Sequence, residues 1–319
     1  RIETIECLEP LTSLERLNLR ANRVRAISGL DSCVALKQLE LYENQLEQLQ
    51  GLEKLTRLEV LDVSFNSISR IEGLEELGAL RELYLANNRV RKVEGLGGLA
   101  SLRLLELGSN ELRSAAPLAA FEATLGGQLQ ELHLGRNKLS SLEGLGGLRT
   151  LRVLGLASNR LKSLDGVQHL VGLRELYADH NWIGGMAELD GLSELHTLEL
   201  SSNCLGAVRC ASLRALEELW LSDNQMAHPE QIGEISALPA LKTLYLTGCP
   251  IAKLPDYREV VLGAAPPTLD QLDADTLPAG WRDALQQPTA PAGSAGAGAG
   301  AEGQPEAPRE AEPGESAAS

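Results

Sequence analysis

The sequence predicts an α/β solenoid, a stack of short repeats that share one continuous core. Two observations predict it. Asparagine returns every 22 residues in one frame, as in Leu17-Asn18-Leu19-x-x-Asn22, Leu39-Glu40-Leu41-x-x-Asn44 and Leu61-Asp62-Val63-x-x-Asn66. The ladder then continues through Asn88, Asn110, Asn137, Asn159, Asn181, Asn203 and Asn224, and Cys249 stands in the last asparagine slot. A fixed period of this length cannot close a core within one unit, so the units must stack.

The frame LxxLxLxxN is the leucine-rich-repeat signature. Within residues 58–80, Leu58, Leu61, Val63, Ile68, Ile71, Leu74, Leu77 and Leu80 are apolar, and most residues between them are polar. Alternation of period two around Leu61-Asp62-Val63 marks a short strand, with Leu61 and Val63 turned inward and Val60, Asp62 and Ser64 turned to the opposite, concave face. Asn66 follows the strand, where its amide can pair with backbone groups of the turn that would otherwise be unpaired. Ile68-x-x-Ile71-x-Gly73-Leu74 then returns along the convex side. Gly29, Gly51, Gly73, Gly95, Gly144 and Gly166 recur at one point of that return, where a Cβ is disfavoured or a positive φ is needed. A return this short leaves room for a 3₁₀ turn or an extended segment, not a long helix.

The spacing is lengthened twice. Asn110 and Asn137 are 27 residues apart, which places five extra residues within 113–128 and predicts a bulge on the convex side or the edge. Asn224 and Cys249 are 25 apart, with the extra length near His228-Pro229. The solenoid is expected over residues 1–249, in about eleven repeats. A C-terminal cap with a short amphipathic helix is expected over 250–285, to cover the last core layer. Residues 286–319, rich in Ala, Gly, Pro and Glu without apolar periodicity, read as a disordered tail.

The 319-residue chain carries a formal charge of −15, which disfavours nucleic acid and anionic membrane and suits a basic protein partner. No apolar run approaches the ~20 residues of a membrane span. Its five cysteines are scattered and odd in number, Cys33 occupies a core slot, and no secretory leader opens the sequence, so a reducing, intracellular setting is expected. The chain opens at Arg1 in mid-repeat, and a further N-terminal segment is expected before it. The P-loop, zinc-protease, dinucleotide and nucleophile-elbow motifs are absent. His133 with Glu106 and Asp62 could be drawn as an acid–base set, but an open sheet excludes no water. The expectation is a binding module without catalytic residues, metal or cofactor, monomeric on its own.

The concave slots can be read from the frame. The central residue of each LxL runs Asn18, Glu40, Asp62, Tyr84, Glu106, His133, Gly155, Tyr177, Glu199, Trp220, Tyr245. Four of the chain's ten aromatics fall in these eleven positions, although the core has no use for rings there. Strand propensity alone would favour Val, Ile and Thr in the same slots, and none is present. Aromatics among carboxylates have the composition of interface anchors facing a basic, partly apolar surface. The partner-binding residues expected are Asp62, Tyr84, Glu106, His133, Tyr177, Glu199, Glu218, Trp220 and Tyr245.

The runs Leu58-Glu59-Val60-Leu61-Asp62-Val63-Ser64-Phe65-Asn66, Glu106-Leu107-Gly108-Ser109-Asn110, Arg174-Glu175-Leu176-Tyr177 and Glu218-Leu219-Trp220-Leu221-Ser222-Asp223-Asn224, with Asp256-Tyr257-Arg258 of the cap, resemble the protein phosphatase 1 regulatory subunit 7 family over about residues 2–275. That resemblance implies a non-catalytic subunit of nucleus and cytoplasm that holds the phosphatase catalytic subunit on its concave face. It places the family's acidic contact on Asp62, then an aromatic and a glutamate on Tyr84 and Glu106. A second aromatic falls on His133, an acid on Glu199, the glutamate–tryptophan pair on Glu218 and Trp220, and a tyrosine on Tyr245. Three positions depart from the family pattern: Tyr84 and His133 each stand where Phe is usual, and Glu199 where Asp is usual. The alternative is an axonemal, cytoskeletal or spliceosomal leucine-rich-repeat adaptor for another basic protein.

Overall fold

The computed structural model describes residues 1–286. Eleven three-residue strands stack in parallel, one per repeat: β1 (Arg16–Asn18), β2 (Gln38–Glu40), β3 (Val60–Asp62), β4 (Glu82–Tyr84), β5 (Leu104–Glu106), β6 (Glu131–His133), β7 (Val153–Gly155), β8 (Glu175–Tyr177), β9 (Thr197–Glu199), β10 (Glu218–Trp220) and β11 (Thr243–Tyr245). Leucine pairs with leucine across every junction, as Leu39 with Leu61 and Leu61 with Leu83. All eight apolar positions of residues 58–80 are at most 1% exposed. Burying each such side chain stabilises the fold by ~2 kcal/mol, so the repeat frame is mainly a hydrophobic one.

The asparagines bind one repeat to the next. Asn137 Nδ2 donates to the carbonyls of Leu134 and Gly135 in its own turn and to Leu107 of the repeat before, while its Oδ1 accepts the Leu112 amide. The same four-bond pattern holds at Asn88, Asn110 and Asn159. At the end of the ladder, the Cys249 Sγ replaces the amide, donating to Leu221 O at 3.2 Å and accepting the Asn224 N–H at 3.4 Å.

The turn that carries each asparagine requires a left-handed residue just before it. Ten non-glycine residues, from Ala21 through Phe65 and Arg136 to Asp223, hold φ between 53° and 56° there. An L-residue in that region gives up ~1–2 kcal/mol, and β-branched residues are worst; none of the ten is β-branched. The recurrent convex glycines have a different reason. Gly73 has φ +70°, and a Cβ on it would stand 2.4 Å from Leu49 O of the preceding repeat. Positive φ and close stacking therefore both require glycine.

The convex returns are turns and short 3₁₀ segments, as at Val167–His169 and Ala187–Leu189. The five-residue insertion forms a 3₁₀ segment (Ala116–Phe121) that runs into α1 (Glu122–Leu125). It leaves the sheet undisturbed, since Leu105 still pairs with Leu132. The extra length at His228 is likewise taken up by 3₁₀ turns, Pro229–Gln231 and Gly233–Ala237.

The cap contains the expected helix, α2 (Tyr257–Ala264), which buries Val261 and Leu262. It also contains a hairpin that the sequence reading did not anticipate. β12 (Gln271–Leu272) extends the sheet in parallel from β11, and β13 (Asp275–Thr276) turns back antiparallel, before α3 (Trp281–Gln286). Asp273 closes the stack: its carboxylate accepts the Leu246 and Thr247 amides and the Tyr257 hydroxyl. The tail expected over 286–319 lies, from residue 287 onward, outside the described residues. Among the described residues, no helix is long and apolar enough to cross a membrane.

Asn137→Ala leaves one amide and up to three carbonyls of two repeats without their partner. It is expected to destabilise the chain by about 3 kcal/mol, since an unpaired buried polar group costs ~1–3 kcal/mol. Urea unfolding followed by circular dichroism measures this, with Lys162→Ala, an exposed position, as the neutral control.

Candidate protein-binding face

The strand register gathers the predicted residues into one column. Asp62 pairs with Tyr84, Tyr84 with Glu106, Glu106 with His133, His133 with Gly155, Gly155 with Tyr177, Tyr177 with Glu199, Glu199 with Trp220, and Trp220 with Tyr245. At ~4.8 Å per strand the column runs for roughly 40 Å along the concave face. Glu218 begins β10, two residues before Trp220, and is exposed.

The side chains of this column are tied down. Acids fold back on their own strand ends: Asp62 Oδ1 accepts the Ser64 amide at 2.9 Å, Glu106 Oε1 the Gly108 amide at 2.5 Å, and Glu199 Oε1 the Ser201 amide at 2.8 Å. Tyrosines do the reverse. Tyr84 donates to Glu82 Oε2 at 2.9 Å and Tyr177 to Glu175 Oε2 at 2.8 Å, one Glu-Leu-Tyr device used twice. Tyr245 accepts the Gln271 Nε2 at 2.6 Å and stacks on Trp220, ring centroids 4.1 Å apart and planes within 5°. The four aromatics of the column are therefore half-buried and fixed. Each presents a ring without the entropy of ordering it on contact.

Burial shifts the charges. Desolvation raises the Glu106 carboxyl above the usual carboxylate range, against the Gly108 hydrogen bond and the neighbouring His133, which lower it. Burial likewise raises Glu199, opposed chiefly by Ser201. The Tyr177 phenol is pushed up to about 12 by burial and by the Glu175 carboxylate it bonds. Burial and the Glu82 carboxylate raise Tyr84 likewise, so Tyr84 and Tyr177 stay neutral donors throughout the physiological range. His133 lies beside Glu131, Nε2 to Oε2 3.8 Å, and its strand neighbours are Glu106 and Gly155. His180 pairs with Asp179 at 2.8 Å in an exposed turn.

One part of the face lies outside the central slot of each LxL. The residue that follows each LxL runs Ser64, Ala86, Gly108, Gly135 and Ala157 through the middle repeats. Ala86, Gly108, Gly135 and Ala157 of this series floor a hollow of about 630 Å³, walled by Phe65, Glu106, His133, Arg136 and Tyr177. Phe65 is 44% exposed, and its ring meets Tyr42 at 4.8 Å. Ser64, expected to line the concave surface, is buried, 5% exposed. The missing signal was the small size of the residue that follows each LxL through these repeats.

The stacked three-residue strands and their asparagine turns define a leucine-rich-repeat solenoid, a fold that generally serves as a protein-interaction scaffold. Comparison with known families agrees. Residues 34–76 match the family model described as Leucine Rich repeats (2 copies), and residues 127–183 the one described as Leucine rich repeat. No curated protein matches the chain. Among solved structures, the chain is similar to a leucine-rich-repeat protein of Leptospira interrogans, with 26% identity and a TM-score of 0.66 over 83% of this chain and 73% of that one. The leucine-rich repeat domain of APL1B superposes with a TM-score of 0.64 at 22% identity, over 78% and 74% of the two chains. An internalin of Listeria monocytogenes gives 0.52 at 22% identity, over 84% and 89%. The last two likenesses are of fold alone.

Because burial raises the folded-state pKa of Glu106, its charge opposes folding above that pKa, and the opposition fades as the pH falls toward the unfolded value. Glu106→Gln, which keeps an acceptor for Gly108, is therefore expected to raise the melting temperature at pH 7.5. The gain should shrink on acidification and vanish once the wild-type carboxyl is protonated. Thermal melts of both proteins from pH 7.5 to pH 4 read this directly.

Proposed function

We propose that the chain is a non-catalytic regulatory subunit that holds the catalytic subunit of protein phosphatase 1 on its concave sheet, in nucleus and cytoplasm. The observation that supports this most is the register: the acid–aromatic series of the regulatory subunit 7 family falls on one unbroken column. Asp62, Tyr84, Glu106, His133 and Glu199 meet the partner along the middle, and Glu218, Trp220 and Tyr245 anchor it at the C-terminal end. Half-buried carboxylates such as Glu106 and Glu199 are poorly hydrated, so a cation brought against them loses less water-mediated competition than one at an open surface. The stacked Trp220–Tyr245 pair offers a flat apolar platform beside the exposed carboxylate of Glu218. His133, where the family has Phe, borders the small-residue hollow, so the apolar contact at mid-face passes to Phe65 and Tyr177.

Glu218→Ala with Trp220→Ala is expected to weaken binding of the phosphatase catalytic subunit about 100-fold or more, since truncated hot spots often lose ~2 kcal/mol or more each. The circular dichroism melt should barely move. In a second arm, Gly135→Trp fills the hollow; a Cβ there meets no atom closer than 3.4 Å, so the fold is expected to tolerate it. Co-purification and calorimetry measure both variants, and undiminished binding by the double variant sinks the assignment of this face.

A further inference from the structure

The acidity of the chain is not evenly spread. Residues 81–174 hold thirteen Lys and Arg against eight Asp and Glu, a local excess of positive charge in a chain of formal charge −15. Much of that excess lies on one flank of the sheet, beyond the C-terminal ends of the strands and separate from the concave column.

The backbone sets this flank in register. The Glu111 amide bonds Val90 O, the Lys138 amide Leu112 O, the Arg160 amide Leu139 O and the Trp182 amide Leu161 O. Glu111, Lys138, Arg160 and Trp182 are therefore successive rungs, ~4.8 Å apart. Arg113 and Lys162 follow the bonded residues Leu112 and Leu161, which sets Arg113 beside Lys138 and Lys162 beside Trp182. At the preceding junction the equivalent pair is neutralised, Arg91 to Glu111 at 3.0 Å. From there on it is not: among the described residues, Arg113, Arg136, Lys138, Arg160 and Lys162 have no carboxylate within 4.0 Å. Glu111, the one acid of the column, is held below the usual carboxylate range by Arg91, with Lys138 and Arg89 adding to it. At the end of the run stands Trp182, 54% exposed and, among the described residues, without an aromatic or cationic partner.

Like charges left adjacent cost stability, and a large exposed ring costs hydration. Neither is needed for stacking, because the core leucines and the asparagine ladder already hold these repeats. We propose that this flank is a docking site for an acidic peptide segment that carries a large apolar anchor residue. The anchor covers Trp182, and the acidic run crosses Arg160, Lys162, Lys138 and Arg113. The patch spans only about four rungs, roughly 20 Å; the equivalent positions beyond it are the neutralised Arg91–Glu111 pair on one side and the uncharged Gly184, Cys204 and Gly206 on the other. A short segment is matched along its whole length, whereas a long polyanion such as a nucleic acid would run past the cations of a chain whose formal charge is −15. The site is independent of the concave column, so a partner held there leaves it free.

Fluorescence anisotropy of the full chain with a fluorescein-labelled peptide, one leucine followed by eight glutamates, tests this. The wild type is expected to bind with an affinity that falls steeply as salt rises. Lys138→Glu with Arg160→Glu should weaken binding at least tenfold. Trp182→Ala should weaken it severalfold without changing the salt slope. Arg103→Glu with Arg152→Glu, the same charge change on the opposite flank, should leave it within about twofold. No binding at low salt, equal losses from the two charge reversals, or tighter binding of a twelve-nucleotide single-stranded DNA than of the peptide would each overturn the proposal. Circular dichroism melts of every variant identify one that fails to fold, in which case Lys138→Gln with Arg160→Gln replaces it and must show at least a threefold loss.

Discussion

Everything on this molecule's surface depends on the asparagine that bridges each repeat to the one before. A three-residue strand makes too few ladder bonds to specify its own register. The asparagine amide supplies the rest, because it reaches the turn of its own repeat and the backbone of its predecessor at once. Asn137 does this across the five-residue insertion with the same partners that Asn159 uses across a regular junction. The insertion can therefore lie outside the stack without shifting what the sheet displays.

Such a scaffold separates holding from recognition. Leucines and asparagines carry the folding energy, which leaves the concave slots free of any packing duty. The concave side nevertheless carries strain of its own: half-buried carboxylates at Glu106 and Glu199, left-handed turns at ten non-glycine residues just beyond the strands, and a hollow of Gly and Ala that packs nothing. These features cost stability where they stand. They are affordable because the column is pre-ordered, with acids bonded to their own amides, tyrosines to their own glutamates, and Trp220 to Tyr245.

Much of the fold was legible because the repeat acts as a ruler. The spacing alone placed each core leucine, each turn asparagine and the convex glycines, and it put Asp62 through Tyr245 on one face. Other features depend on contacts that a period does not encode. Ser64 shares the concave face by parity yet is buried. The Tyr84 and Tyr177 rings are half-covered because each hydroxyl reaches a glutamate two residues back. The β12–β13 hairpin has two-residue strands, too short for any alternation to show. The hollow arises from a missing set of side chains across four repeats, and it becomes visible only when neighbouring strands are laid side by side.

The central claim is that the column between the leucines is the surface a protein partner touches. Site-specific photocrosslinking tests it most directly, with a benzophenone amino acid placed at Tyr177 on the concave column or at Val171, 57% exposed outside that column. On irradiation with the catalytic subunit of protein phosphatase 1, the account predicts a covalent adduct from position 177 and none from position 171. An adduct from 171 alone, or none from either while the two proteins still co-purify, would contradict it.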